Sequence, residues 1–145
     1  MRLDWAILAN SAEVREGLAY MLGGGIDTVN SSQLPAPLFG SLLLRLLLHR
    51  TEADREHTLE LRFLGEDGQE VAPRLTANFQ VPVIPSPEDV PIGWDLPVMF
   101  AFNIQGLQLP TESRYSIEVL ADGIHLKSLN LRARIVRPPT PPPST

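Results

Sequence analysis

Apolar residues alternate with polar ones along most of the chain, and a period of two marks strands with one buried face. Leu3, Trp5, Ile7 and Ala9 share one side of a first strand. Leu18, Tyr20 and Leu22 share one side of a second, which runs into Gly23-Gly24-Gly25. Glu13 to Met21 is the only stretch with room for a turn or two of helix. Leu42, Leu44, Leu46 and Leu48 then form an inward face, and Leu43, Arg45, Leu47 and His49 a half-covered opposite one. His57, Leu59, Leu61 and Phe63 repeat the pattern against Thr58, Glu60 and Arg62. Gly65-Glu66-Asp67-Gly68 is a hairpin turn, after which Val71, Leu75, Ala77, Phe79, Val81 and Val83 alternate with polar residues. Pro85 to Asp95 reads as a loop. Leu96 to Ile104 alternate again, as do Tyr115, Ile117, Val119 and Ala121 up to a tight turn at Asp122-Gly123. In the last strand Ile124 and Leu126 share one parity, and Leu129, Leu131, Ala133 and Ile135 the other. That slip predicts a bulge near Lys127-Ser128.

About eight strands at such spacing, with little helix, predict an all-β fold. The expected architecture is an antiparallel β-sandwich, immunoglobulin-like or jelly-roll-like, with a closed barrel as the alternative. Five of the 14 prolines fall between Pro138 and Pro143. They divide the chain into a sandwich domain over residues 1–136 and an extended proline-rich tail over residues 137–145.

Composition narrows the chemistry. The chain has no cysteine, which removes disulfides, thiolate metal sites and cysteine nucleophiles. Net charge is −5 and the basic residues are scattered. A duplex binder needs a basic face, so nucleic acid is not an expected partner. The N-terminal stretch carries Asp4 and no long apolar core, unlike a secretory signal. The apolar run Leu42–Leu48, broken by Arg45, is too short to cross a bilayer. A cytoplasmic protein without membrane insertion is the expectation.

His49 and His57 flank Glu52, Asp54 and Glu56, a set that could ligate zinc. If Leu48 pairs near Leu59 and Leu46 near Leu61, however, the two imidazoles point to opposite sides of the sheet. Gly23-Gly24-Gly25 lacks the Lys-Ser/Thr of a phosphate loop and reads as a kinked strand or close crossover. No serine stands in a Gly-x-Ser-x-Gly elbow, and His125 stands alone beside Asp122-Gly123. No catalytic, cofactor or metal residue is assigned, and the chain is read as a non-enzyme.

Partner contact is the remaining class. The loop Pro85–Asp95 is stiffened by three prolines and presents Glu88, Asp89 and Trp94, a rigid surface with an aromatic anchor. Trp94 could equally close the end of the core. Leu43 and Leu47 offer an apolar face for self-association. Pro138, Pro139 and Pro141 carry PxxP-like spacing that aromatic grooves read.

Three segments, Leu3-Asp4-Trp5-Ala6-x-Leu8-Ala9-x-x-Ala12-Glu13, Gly17-Leu18-x-Tyr20 and Leu22-Gly23-Gly24-Gly25-x-Asp27-Thr28, resemble an uncharacterised bacterial family of domains of unknown function. The segments Leu59-x-Leu61-x-Phe63 with Gly68, and Tyr115-x-Ile117-x-Val119 with Asp122-Gly123, are similar to its later hairpins. The resemblance covers most of residues 1–136. It implies a bacterial, intracellular, sandwich-like domain, and it transfers no catalytic residue. The functional expectation is a non-enzymatic interaction module or accessory, structural subunit of a bacterial assembly, bound to a protein partner or to itself. A sandwich binding a small ligand or carbohydrate through Trp94 is the alternative.

Overall fold

A computed structural model describes residues 1–82, 90–137 and 139–144. Nine strands follow in order: β1 (Arg2–Arg15), β2 (Leu18–Gly24), β3 (Thr28–Ser31), β4 (Ala36–Leu48), β5 (Glu56–Gly65), β6 (Leu75–Gln80), β7 (Leu96–Leu109), β8 (Arg114–Ala121) and β9 (Ile124–Ile135). They form a four-stranded sheet A, ordered β2-β1-β4-β7, and a five-stranded sheet B, ordered β3-β9-β8-β5-β6. Every pairing is antiparallel except β3 with β9.

The order identifies the variety of sandwich. One sheet carries β1-β4-β7 and the other β9-β8-β5-β6, with β3 added in parallel. Laid onto an immunoglobulin sandwich, these are A-B-E and G-F-C-C′. The first strand position is split between the sheets, with β2 inserted as a hairpin. Tyr115 at the start of β8 strengthens the assignment. Its hydroxyl donates to the Thr111 carbonyl at 2.7 Å and accepts from the Thr111 N–H at 2.9 Å, as a tyrosine corner does where the chain changes sheets.

The core lies between the sheets. Leu42, Leu44, Leu46 and Leu48 of β4 are fully buried against Leu59, Leu61, Ile117 and Val119 of sheet B. Phe79 meets Phe100 edge-on, with ring centroids 5.0 Å apart, and so joins β6 to β7. Among the described residues no buried side-chain nitrogen or oxygen lacks a hydrogen-bond partner.

Several local expectations change. Glu13–Met21 is a hairpin, not a coil. Glu16 and Gly17 both have positive φ (51° and 74°), the geometry of a two-residue type I′ turn. Asp122 and Gly123 (50° and 77°) repeat it between β8 and β9. The leucine strand that ends just before His49 and the strand containing His57 do not pair: β4 lies in sheet A and β5 in sheet B. The two leucine rows face each other across the core because the chain crosses between sheets, not because it turns back within one. β7 runs on to Leu109 with a bulge, since Ile104 opposes Gly40 but Leu107 opposes Leu38. Gly106 (φ 71°) absorbs the extra residue. In β9 Val119 faces Lys127 while Leu120 faces His125. Leu126 is therefore the extra residue, one position before the expected bulge.

Candidate functional site

The three histidines occupy three separate settings. His49 caps a short 3-10 turn, Arg50–Glu52. His57 is buried. Its Nε2 lies 2.7 Å from the Glu52 carbonyl and its Nδ1 2.7 Å from Asp122 Oδ2. A carbonyl only accepts, so Nε2 carries a proton; an ionised carboxylate only accepts, so Nδ1 carries one too. The ring is thus an imidazolium tying the β4–β5 crossover to the β8–β9 turn. Burial alone lowers the His57 pKa, but the bonds to Asp122 and Glu52 outweigh it and raise the value above normal. Asp122 is moved oppositely: burial raises its pKa, and the bonds from His57 and the Thr58 N–H bring it below the usual range.

His125 is not alone. Its Nε2 lies 2.6 Å from Glu118 Oε2 and 3.1 Å from Ser128 Oγ. Ser128 and Ser116 both donate to the same carboxylate. Serine, histidine and glutamate are together, but in the wrong order for a nucleophile. A triad needs the acid on Nδ1 and the serine on Nε2; here both share Nε2, and the serine proton goes to the acid. The group instead stabilises a carboxylate. Burial raises the Glu118 pKa, and Ser128, Ser116 and His125 more than offset it. Counting back from the Asp122-Gly123 turn, with the bulge included, sets Ser128 opposite Glu118, so the pattern was present in the sequence. Among the described residues no three His, Asp or Glu side chains are grouped to hold a metal ion.

The two outer faces of the sandwich differ sharply. Sheet B presents Thr58, Glu60, Arg62, Thr76, Asn78, Glu118 and Ser128. The outer side of sheet A carries Trp5, Ile7, Leu47, Met99 and Ala101 with Arg45 among them, over Ala9 and Leu43, which their neighbours bury completely. Its charges there are paired off: Arg2 with Asp95, Arg45 with Asp4, Arg15 with Glu13.

The β1–β2 hairpin extends this face. β1 pairs with β4 only as far as Ala9–Ser41, and with β2 from Ala9–Gly24 to Arg15–Leu18. Beyond Ala9 it is a two-stranded ribbon, about 20 Å long at about 3.4 Å per residue. Leu18, Tyr20 and Leu22 share one side of it and are 59%, 49% and 73% exposed. Phe39 on β4 is 63% exposed.

The contact residues expected from sequence are dispersed. Glu88, Asp89 and Pro138 lie outside the described residues. Trp94 is 67% exposed and does not close the core. Leu43 is fully buried, flanked by Ile7 and Ala101 in the register, and cannot itself touch a partner; Leu47 is half-buried. Pro139 and Pro141 are exposed. Sequence reasoning missed the hairpin arm, although the alternation of Leu18, Tyr20 and Leu22 was visible; what it lacked was that no second sheet covers them. An apolar groove of about 500 Å³ opens between β6 and β7, lined by Phe63, Leu75, Ile104 and Leu107 among others, but not by Trp94. Among the described residues no helix is long and apolar enough to cross a membrane.

No curated protein and no solved structure matches the chain. A family model described as a family of unknown function, DUF6941, matches residues 4–134. That span runs from β1 almost to the end of β9 and takes in both sheets and the hairpin arm. The chain therefore belongs to this family of unknown function, DUF6941.

Proposed function

We propose that this protein is an interaction module that docks through the outer face of sheet A and the β1–β2 arm, and that its partner is a second copy of itself. The observation carrying the reading is the arm: a two-stranded ribbon with Leu18, Tyr20 and Leu22 largely exposed. An isolated hairpin is marginal in water and gains stability by packing. Burying a leucine fully is worth about 1.5–3 kcal/mol, so three or four such side chains supply a substantial driving force. Self-association fits the charge pattern. The chain as a whole carries −5, yet on this face three cations pair with three anions, so two such faces meet without net repulsion. Among the described residues β2 is also an edge strand with one free side, and edge strands extend by pairing with another chain.

Sedimentation velocity across a concentration series tests the reading. The native chain is expected to sediment as a dimer or a larger closed oligomer. The double variant Tyr20→Asp/Leu22→Asp is expected to be monomeric with an unchanged far-ultraviolet spectrum. A native chain that stays monomeric at several hundred micromolar defeats self-association, as does a double variant that keeps the native assembly size.

A further inference from the structure

Arg114 and Arg132 stand directly opposite each other across the β8–β9 ladder. Side chains in such a pair leave the same side of the sheet, with Cβ atoms about 5 Å apart. Arg134 follows on the same side of β9, as its pairing with Asn30 on β3 shows. All three are exposed. Arg2, Arg15, Arg45, Arg62 and Arg74 each sit beside a carboxylate, Arg50 donates to the Val90 and Pro91 carbonyls, and Arg55 and Arg137 stand singly without an ion pair among the described residues. Among the described residues, Arg114, Arg132 and Arg134 form no ion pair. Like charges in direct register destabilise a sheet, so this acidic chain keeps an unfavourable concentration of positive charge at one corner of sheet B.

The corner is also shaped. A pocket of about 320 Å³ is lined by Asp27, Arg114, Tyr115, Asn130, Leu131 and Arg132. Arg132 is held in place: its Nε donates to Thr28 Oγ1 at 2.9 Å, and the Thr28 hydroxyl donates to Asp27 Oδ1 at 2.9 Å. That anchorage leaves the two terminal nitrogens of the Arg132 guanidinium for a ligand. It also engages one oxygen of the acid nearest the pocket.

We propose that this corner binds a phosphate group, with Arg132 and Arg114 each directing a guanidinium fork at its oxygens and Arg134 adding charge from the flank. Guanidinium forks match the oxygen spacing of phosphate and bind it by two parallel, charge-assisted hydrogen bonds. The phosphate also supplies the missing counter-charge.

Inorganic phosphate titrated into the labelled full-length protein, followed by amide NMR, tests the site against sodium chloride at matched ionic strength. Saturable shifts confined to residues 113–116 and 130–134 are expected with phosphate only. Arg132→Gln and Arg114→Gln are each expected to weaken the binding about tenfold or more, and Asp27→Asn to tighten it. Without phosphate, Arg132→Gln is expected to melt higher than the native protein, because the repulsion is relieved. Tighter binding of phosphoserine than of inorganic phosphate identifies a phosphoryl group on a larger molecule as the ligand; weaker binding identifies free phosphate. Shifts reproduced by chloride, or arginine variants that titrate like the native chain, overturn the proposal.

Discussion

Replacing Asp122 with asparagine isolates what the His57–Asp122 pair contributes. Asparagine tolerates the left-handed backbone at this position (φ 50°), and its carbonyl can still accept from the Thr58 N–H that Asp122 Oδ1 accepts at 2.9 Å. On the side facing His57 the accepting carboxylate oxygen becomes an amide N–H donor, which can pair only with a neutral ring whose Nδ1 accepts, so the charge-assisted bond is lost. A hydrogen bond to a charged group contributes about 1.5–3 kcal/mol, and a neutral one about 1 kcal/mol. The His57 side chain is 1% exposed but that of Asp122 is 42% exposed, and solvent screening places the difference at the low end. The expected cost is about 1 kcal/mol, or a melting point lower by roughly 3–5 °C in a domain of this size.

The pH dependence is more diagnostic than the size. The His57 pKa is raised from 6.5, so its contribution is complete below the unfolded value and fades as pH rises through the folded one. The Asp122 pKa is lowered from 3.8, so its contribution is complete above that value and fades as pH falls through the folded one. The stability gap between native and Asp122→Asn should therefore be widest between about pH 4 and 6.5 and close on the alkaline side. Urea unfolding of both proteins from pH 4.5 to 9 reads it directly. A gap constant over that range would show that Asp122 acts only as a cap on Thr58, and the imidazolium assignment would be wrong.

Two further substitutions test the frame. Tyr115→Phe removes all three hydrogen bonds between the Tyr115 hydroxyl and Thr111 at unchanged ring volume and should cost about 1–2 kcal/mol in urea unfolding; a neutral result would remove the tyrosine corner from the list of features holding the sheet crossing. Gly40→Ala would place a Cβ 2.5 Å from the Ala9 carbonyl oxygen, a backbone atom of β1. β1 must then shift against β4, at a cost of about 1–3 kcal/mol in thermal unfolding, and an unchanged melting point would mean that the strands separate there freely.

The sandwich was legible because burial with period two is a local property. Leu42 to Leu48 and His57 to Phe63 declare their inward faces without knowledge of their partners. Partners are another matter. Nothing local distinguishes a leucine row that turns back on its neighbour from one that crosses to the facing sheet, so β4 and β5 were paired in expectation though they lie in different sheets. Turn chemistry behaved similarly: Asp122-Gly123 matches the common aspartate–glycine preference, whereas Glu16-Gly17 places a non-glycine residue at positive φ without that cue. The Glu118–His125–Ser128 group needed register across a bulged hairpin, and the uncompensated Arg114–Arg132 pair needed register alone.

The exposed arm also has a topological cause. The chain changes sheets between β1 and β3. Here the switch from β1 in sheet A to β3 in sheet B is made through an inserted hairpin: β1 continues past the end of its pairing with β4, turns at Glu16-Gly17, and returns as β2. The Gly25 and Ile26 N–H groups then bond the Leu8 carbonyl, delivering the chain to β3. A short loop could make the same connection with far less exposed apolar surface. The fold does not require Leu18, Tyr20 and Leu22 on the ribbon, since among the described residues β2 pairs with β1 alone and serine or threonine would sustain the same ladder. On the self-association proposed above, they serve a partner and not the core of the monomer. That is why the assembly state, rather than any catalytic assay, is the measurement on which the functional reading stands.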